Sequence, residues 1–375
     1  MSDHLSVNSN PSAAVIPKFY NAALDLLSRH ATRSDKTAYI DATTSESLSY
    51  GQLEDQAHRF AQGLHEAGFQ QEQRVLLCMH DGLRWPVVFL GCILAGVVPV
   101  AVNTLLTPKD YAFMLQDSRA HGLVVSEALW PQFADILHTA PVCKQVFIDS
   151  DVPPENAKSI AQVIRDAQRL PHAANTLADD VCFWLYSSGS TGSPKGTLHL
   201  HSHIIQTAHL YGQGVLGLQE NDVVFSAAKL FFAYGLGNAL SFPLAQGATT
   251  VLLGKRASPA DVFHLLKTHQ PTVFYGVPTL FASLLADADR PGAKDLNLRV
   301  CTSAGEALPA EIGKRWQAEF GVDILDGIGS TEMLHIFLSN RPGRVRYGTT
   351  GEVVPGYALR LVNDEGNPCA VGELG

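Results

Sequence analysis

The sequence predicts an α/β fold of layered sheets and helices, and three observations carry that expectation. Short runs of β-branched and other apolar residues recur along the chain. Helical patterns alternate with many of them, as in folds built on largely parallel sheets. At 375 residues the chain exceeds the size at which a single core keeps growing, so two or three lobes are expected.

The expected strands are Val75–Cys78, Val97–Val102, Leu123–Val125, Val146–Ile148, Val181–Leu185, Val223–Phe225, Thr249–Leu253, Thr272–Tyr275, Arg299–Thr302, Asp323–Leu325 and Leu359–Val362. The expected helices include Gln52–Ala67, His203–Tyr211, Asp261–Lys267, Thr279–Ala286 and Glu311–Phe320. Trp85–Val102 carries no charge over 18 residues, close to the length of a membrane span. Pro86, Gly91, Gly96 and Pro99 punctuate it, so a buried helix to Ala95, a stop at Gly96 and a strand fit better. Residues 1–20 read as a mobile lead-in, rich in Ser, Asn and Pro and without the apolar stretch of a signal peptide. The polar stretch Pro153–Asp180 reads as a surface connection, dividing a first subdomain (21–178) from a second (179–375).

Composition narrows the function classes. The net charge of −9 disfavours a nucleic-acid partner, which needs a basic face. The six cysteines form no C-x-x-C pair and mostly sit in apolar runs, so buried free thiols in a reducing, cytoplasmic setting are expected.

The chemistry is concentrated in Ser187-Ser188-Gly189-Ser190-Thr191-Gly192-Ser193-Pro194-Lys195-Gly196. This loop follows a buried strand directly. Its glycines let backbone N–H groups approach a phosphate, its hydroxyls donate hydrogen bonds, and Lys195 adds a point charge. Thr191 is also a candidate metal ligand. The loop is not a Walker A motif, since Pro194 precedes the lysine and Gly196 follows it. His199, His201 and His203 alternate and suggest imidazoles on one strand face, but no nearby Cys or carboxylate completes a metal set.

The loop resembles the phosphate-binding signature of the acyl-adenylate-forming superfamily, and further motifs follow in that family's order. Ser303-Ala304-Gly305-Glu306-Ala307 looks like its adenine-contacting turn. Asp326-Gly327 and Ile328-Gly329-Ser330-Thr331-Glu332 look like its next segment, with Ile328 in place of the usual aromatic, so adenine would meet an aliphatic face. The run Ser330–Asn340 is similar to that of benzoate- and hydroxybenzoate-CoA ligases.

The resemblance implies the family's large N-terminal domain, with two layered α/β subdomains and the start of a β-barrel-like one. It implies binding of ATP, Mg²⁺, coenzyme A and a small aromatic acid, with no nucleic-acid or membrane partner; a homodimer is compatible with it. Lys195 and the loop N–H groups would hold the β- and γ-phosphates, Thr331 the α-phosphate, and Thr191 and Glu332 the Mg²⁺. The acid would lie among Phe232, Ala233, Tyr234, Gly235 and Tyr275, bordered by Ala304, Gly305, Gly327, Ile328 and Gly329, with His335 and Ile336 closing the far end. No Asp occurs in Lys229–Gly237, where relatives that activate amino acids place one, so an α-amino acid is disfavoured. The alternatives are 4-hydroxybenzoate or 2-aminobenzoate as the acid, or a nucleotide-binding module without catalysis. Gly372-Glu373-Leu374 looks like the opening of a further motif, so a truncated chain that forms adenylate poorly and thioester hardly at all is expected.

Overall fold

A computed structural model describes residues 14–187 and 194–375. Residues 1–13, which hold most of the expected lead-in, and 188–193 of the phosphate loop lie outside the described residues.

Two sheets organise the described chain. The seven-stranded sheet runs Lys158–Ser159, Gln145–Asp149, Gly122–Ser126, Arg74–Cys78, Val98–Ala101, Val181–Ser187, Lys195–Leu200. The nine-stranded sheet runs Glu352–Val353, Ile336–Ser339, Ile324–Gly329, Val300–Ser303, Val273–Gly276, Val223–Ser226, Thr249–Leu252, Thr37–Asp41, Ser47–Ser49. Central pairings are parallel, and antiparallel hairpins lie at the edges.

The sheets do not divide at residue 178. Val181–Ser187 pairs in parallel with Val98–Ala101 in the seven-stranded sheet, and Thr37–Asp41 pairs in parallel with Thr249–Leu252 in the other. A chain segment joins the sheet that buries its apolar residues, whatever its position in the sequence.

Most expected elements form within a few residues of their expected bounds. The uncharged stretch becomes the helix Arg84–Leu94 and the strand Val98–Ala101, both buried. Among the described residues no helix is long and apolar enough to cross a membrane. The helix Tyr50–Glu66 begins on a reciprocal cap: the Ser49 hydroxyl accepts from the Gln52 N–H, and the Gln52 side chain accepts from the Ser49 N–H. Leu359–Val362 does not form a strand; only Val362 bridges, to Pro368. Leu359 and Leu361 stay exposed, so no burial favours pairing there. Of the three alternating histidines, only His199 lies on the strand Lys195–Leu200, because the helix His201–Thr207 starts at the second. The six cysteines are free.

Aromatic packing marks the two main cores. Phe89 lies between Trp85, stacked at 5.0 Å, and Phe183, edge-on at 5.5 Å. Phe281 lies edge-on to both Trp316, at 4.8 Å, and Phe274, at 5.3 Å.

One ion pair ties strands of the larger sheet together. Arg299 donates to both carboxylate oxygens of buried Asp222, at 2.8 and 2.7 Å, and the Thr272 hydroxyl donates to the same carboxylate at 2.6 Å. Burial alone would raise the Asp222 pKa, but these hydrogen bonds outweigh it and hold the group below its usual 3.8. A depressed carboxylate stabilises the fold above its unfolded pKa, and that stability is lost as pH falls through the folded value. Arg299→Met should therefore cost about 2 kcal/mol at pH 7. The deficit should shrink below about pH 4, where the unfolded carboxyl takes up its proton. Urea denaturation at both pH values checks this, and a pH-independent deficit would count against it.

Candidate functional site

The site gathers at the carboxyl ends of parallel strands. In the larger sheet, Val223–Ser226 is followed in sequence by a strand on one flank and then by Val273–Gly276 on the other, so the direction of winding reverses between them. Such a switch point leaves a crevice beyond the strand ends. A cavity of about 420 Å³ opens there, lined by Ala227, Ala228, Phe232, Ala233, Tyr234, Val277, Ala304, Gly305, Gly329, Ser330, Thr331, His335 and Ile336.

Eight of the thirteen lining residues belong to the expected acid site. Phe232, Ala233 and Tyr234 form one wall, Ala304 and Gly305 another, and Gly329, His335 and Ile336 a third. Ser330 and Thr331, expected at the nucleotide, line the same cavity and join the two parts of the site.

Four expected acid-site residues do not line this cavity. Tyr275 is fully buried behind it, edge-on to Tyr234 at 6.3 Å. Gly327 lies against Ile336 and Leu338, where a β-carbon would meet both. Ile328 is 44% exposed. Gly235 is a packing residue: a β-carbon there would lie 2.0 Å from the Lys229 carbonyl oxygen. Ala227, Ala228 and Val277 also line the cavity, and no sequence motif marks them. They immediately follow the strands that flank the switch point, a signal legible only once strand order is known.

Tyr234 is held at its polar end. Its hydroxyl lies 2.5 Å from the Thr302 hydroxyl and donates to the Gly276 carbonyl at 3.3 Å. Burial pushes the phenol far above its usual range, so it stays neutral. His335 is fully buried, and its Nε2 lies 3.0 Å from Asn238 Oδ1. Burial outweighs the Tyr234 carbonyl and drives the imidazole pKa down to about 3, so this ring is neutral as well.

The phosphate-loop ends are also placed. Val181–Ser187 and Lys195–Leu200 form an antiparallel hairpin in which Ser187 faces Lys195. Ser188, Gly189, Ser190, Thr191 and Gly192 lie outside the described residues. Lys195 is exposed. Glu332 comes to this hairpin: its carboxyl pKa is lowered by its own backbone N–H first, and then by the Ser330 and Ser187 hydroxyls and by His199. Glu332 is thus anionic at neutral pH, beside the loop's first residue.

Ser303 ends a central strand, and Asp326 is its register partner on the next. Ala304 is buried, Gly305 has φ +95°, and Glu306 is exposed. Asp326 Oδ2 accepts from the Leu308 N–H at 3.3 Å, while its Oδ1 has no partner. Burial raises its pKa to about 6.

The sequence model of the AMP-binding enzymes matches residues 27–375. This chain belongs to the AMP-binding enzyme family. It is 54% identical over 369 residues to the benzoate–CoA ligase of Thauera aromatica, a match spanning 98% of this chain and 68% of that one. It is 44% identical to the 4-hydroxybenzoate–CoA/benzoate–CoA ligase of Rhodopseudomonas palustris, across 95% of this chain and 66% of the relative. Among solved structures, a benzoate CoA ligase from Burkholderia xenovorans LB400 aligns with a TM-score of 0.89 at 50% identity, covering 94% of this chain and 70% of that one. The anthranilate CoA ligase AuaEII, in complex with anthranoyl-AMP, aligns with a TM-score of 0.92 at 38% identity, covering 96% and 69%. The chain therefore spans about two thirds of the length of these relatives. In this AMP-binding enzyme the expected α/β layers are present as the two mixed sheets.

Proposed function

We propose that this chain binds ATP and an aromatic carboxylic acid, benzoate foremost, and belongs to a ligase that converts them to acyl-adenylate and then to the coenzyme A thioester. The observation that carries this reading is the cavity: a slot of about 420 Å³ without a charged side chain, with Thr331 in its lining. An apolar slot with aromatic walls favours a planar ring. Its polar end is where a carboxylate would meet the nucleotide. The relatives, a benzoate–CoA ligase and a 4-hydroxybenzoate–CoA/benzoate–CoA ligase, agree with this class of acid.

In the first step a carboxylate oxygen attacks the α-phosphorus of ATP and pyrophosphate leaves. A benzoate-like acid is ionised at neutral pH, since its pKa is about 4, so no general base is needed. Catalysis is then positioning and charge stabilisation. The cavity walls hold the ring. Thr331 contacts the α-phosphate, and Lys195 with the loop N–H groups holds the β- and γ-phosphates. Ser303, Ala304, Gly305, Asp326 and Gly327 border the adenine.

Glu332, with Thr191, is the candidate ligand set for Mg²⁺, a hard cation that takes a carboxylate or two alongside phosphate oxygens. An anionic Glu332 beside the Ser187 hydroxyl fits that requirement. When bound, the ion supplies neutralisation of phosphate charge. In the second step the thiolate of coenzyme A attacks the acyl carbon and AMP leaves. The unpaired cysteines suit the reducing cytoplasm.

Two measurements test the reading. Acid-dependent pyrophosphate release should favour benzoate over a six- to eight-carbon alkanoic acid by about tenfold or more, roughly 1.4 kcal/mol of ring contact. Equal rates would overturn the aromatic assignment. Lys195→Ala should weaken Mg·ATP binding about tenfold by calorimetry, the scale of a lost charged hydrogen bond. Unchanged binding would remove the loop from the nucleotide site.

A further inference from the structure

Asn238 touches no expected ligand, yet it is fully buried against the cavity residue His335. It lies in the wide helical turn Gly237–Ser241, whose hydrogen bonds span five residues instead of four. Such turns re-aim single side chains and recur at functional sites. The preceding residue, Gly237, gives the imidazole its room: a β-carbon there would lie 2.3 Å from His335 Cδ2. Two neighbouring positions thus shape the place of one ring.

The hydrogen bonds around Asn238 define a direction. The Ser226 hydroxyl donates to the Ala228 carbonyl at 3.0 Å, so its oxygen is available to accept. Asn238 Nδ2 donates to that oxygen at 3.4 Å. This leaves Asn238 Oδ1 as the acceptor facing His335 Nε2 at 3.0 Å, so Nε2 carries the hydrogen. In the neutral ring Nδ1, which has no hydrogen-bond partner, is then the unprotonated nitrogen. The chain runs from Ala228, itself a cavity residue, through Ser226 and Asn238 to His335, another.

We infer that Asn238 is a specificity-determining positioning residue, which holds the His335 ring in one tautomer and one orientation and thereby sets how long an aryl acid the cavity accepts. The inference rests on the aryl-acid reading above. A ring tethered at Nε2 cannot swing aside for a para substituent. Removing the tether costs the buried N–H its hydrogen bond to Asn238, which frees the ring to take another position.

The test compares Asn238→Leu, Asn238→Ser and Ser226→Ala with the parent. The readouts are dissociation constants for benzoate and 4-methylbenzoate and the melting temperature. Asn238→Leu should weaken benzoate about tenfold, from one lost buried hydrogen bond. It should also reduce the preference for benzoate over 4-methylbenzoate by about tenfold. Asn238→Ser and Ser226→Ala should shift the same ratio less. A folded Asn238→Leu protein with the parent's ratio overturns the proposal. The imidazole ¹⁵N signals of His335 in the unsubstituted protein give a reading that no variant's folding can obscure. A protonated Nε2 with an unprotonated Nδ1 is expected, and the opposite tautomer overturns the proposal. Failure of the parent to bind benzoate would instead strike the aryl-acid reading, while the tautomer would still test the role of Asn238.

Discussion

Glu332→Gln is expected to lower acid-dependent pyrophosphate–ATP exchange by about 100-fold or more, a loss of roughly 2.7 kcal/mol of transition-state stabilisation. The substitution keeps the side chain's size and removes only its charge. In the structure that charge is secured: the backbone N–H of Glu332 and the Ser330 and Ser187 hydroxyls hold the carboxyl below its usual 4.5. The group is ionised throughout the neutral range, so the exchange rate should fade only as pH drops through a value below 4.5. Benzoate binding in the absence of nucleotide should be unchanged, because Glu332 does not line the acid cavity. An exchange rate near that of the parent would show that the carboxylate charge is not used. Equal losses in benzoate affinity and exchange would show damage to the fold.

Gly235→Ala is expected to cost about 3 kcal/mol of stability, at the upper end of overpacking effects. The obstacle is backbone, two consecutive carbonyls of one segment. A β-carbon at residue 235 would sit 2.0 Å from the Lys229 carbonyl oxygen and 2.7 Å from that of Ala228. Neither can give way as the tip of a side chain would. The segment between them carries Phe232, Ala233 and Tyr234, so relief of the clash must move a cavity wall. Urea unfolding should show the loss. Benzoate affinity should fall further than Mg·ATP affinity, whereas equal losses would place the strain away from the cavity.

How much of this was legible in advance depends on the range of the interactions involved. The capped helix at Tyr50 and the uncharged helix–strand unit from Arg84 to Ala101 follow from local patterns, and their bounds moved by only a few residues. The wall from Phe232 to Tyr234 was also readable, through a resemblance concentrated in short motifs. Tyr275, expected in the same wall, is instead buried behind Tyr234, because neighbouring strands decide which aromatic faces the crevice. The end of the strand Lys195–Leu200 is obscured by His199, His201 and His203, which alternate across the junction between that strand and the next helix.

The sequence alone determined the phosphate loop as a kind of site. The order of glycines, hydroxyls and one lysine is chemistry carried by consecutive residues, and the same holds for the Thr331-Glu332 pair. It also determined that the fold is layered α/β, because hydrophobic periodicity is local. Only the tertiary structure decided that Glu332 meets Ser187 across some 145 positions, that the acid cavity opens at the reversal of strand order, and that Asn238 holds His335. The physical reason is that these arrangements depend on which strands pair and which side chains share a buried space. Pairing and burial are settled by the whole chain packing at once, and no window of sequence contains them.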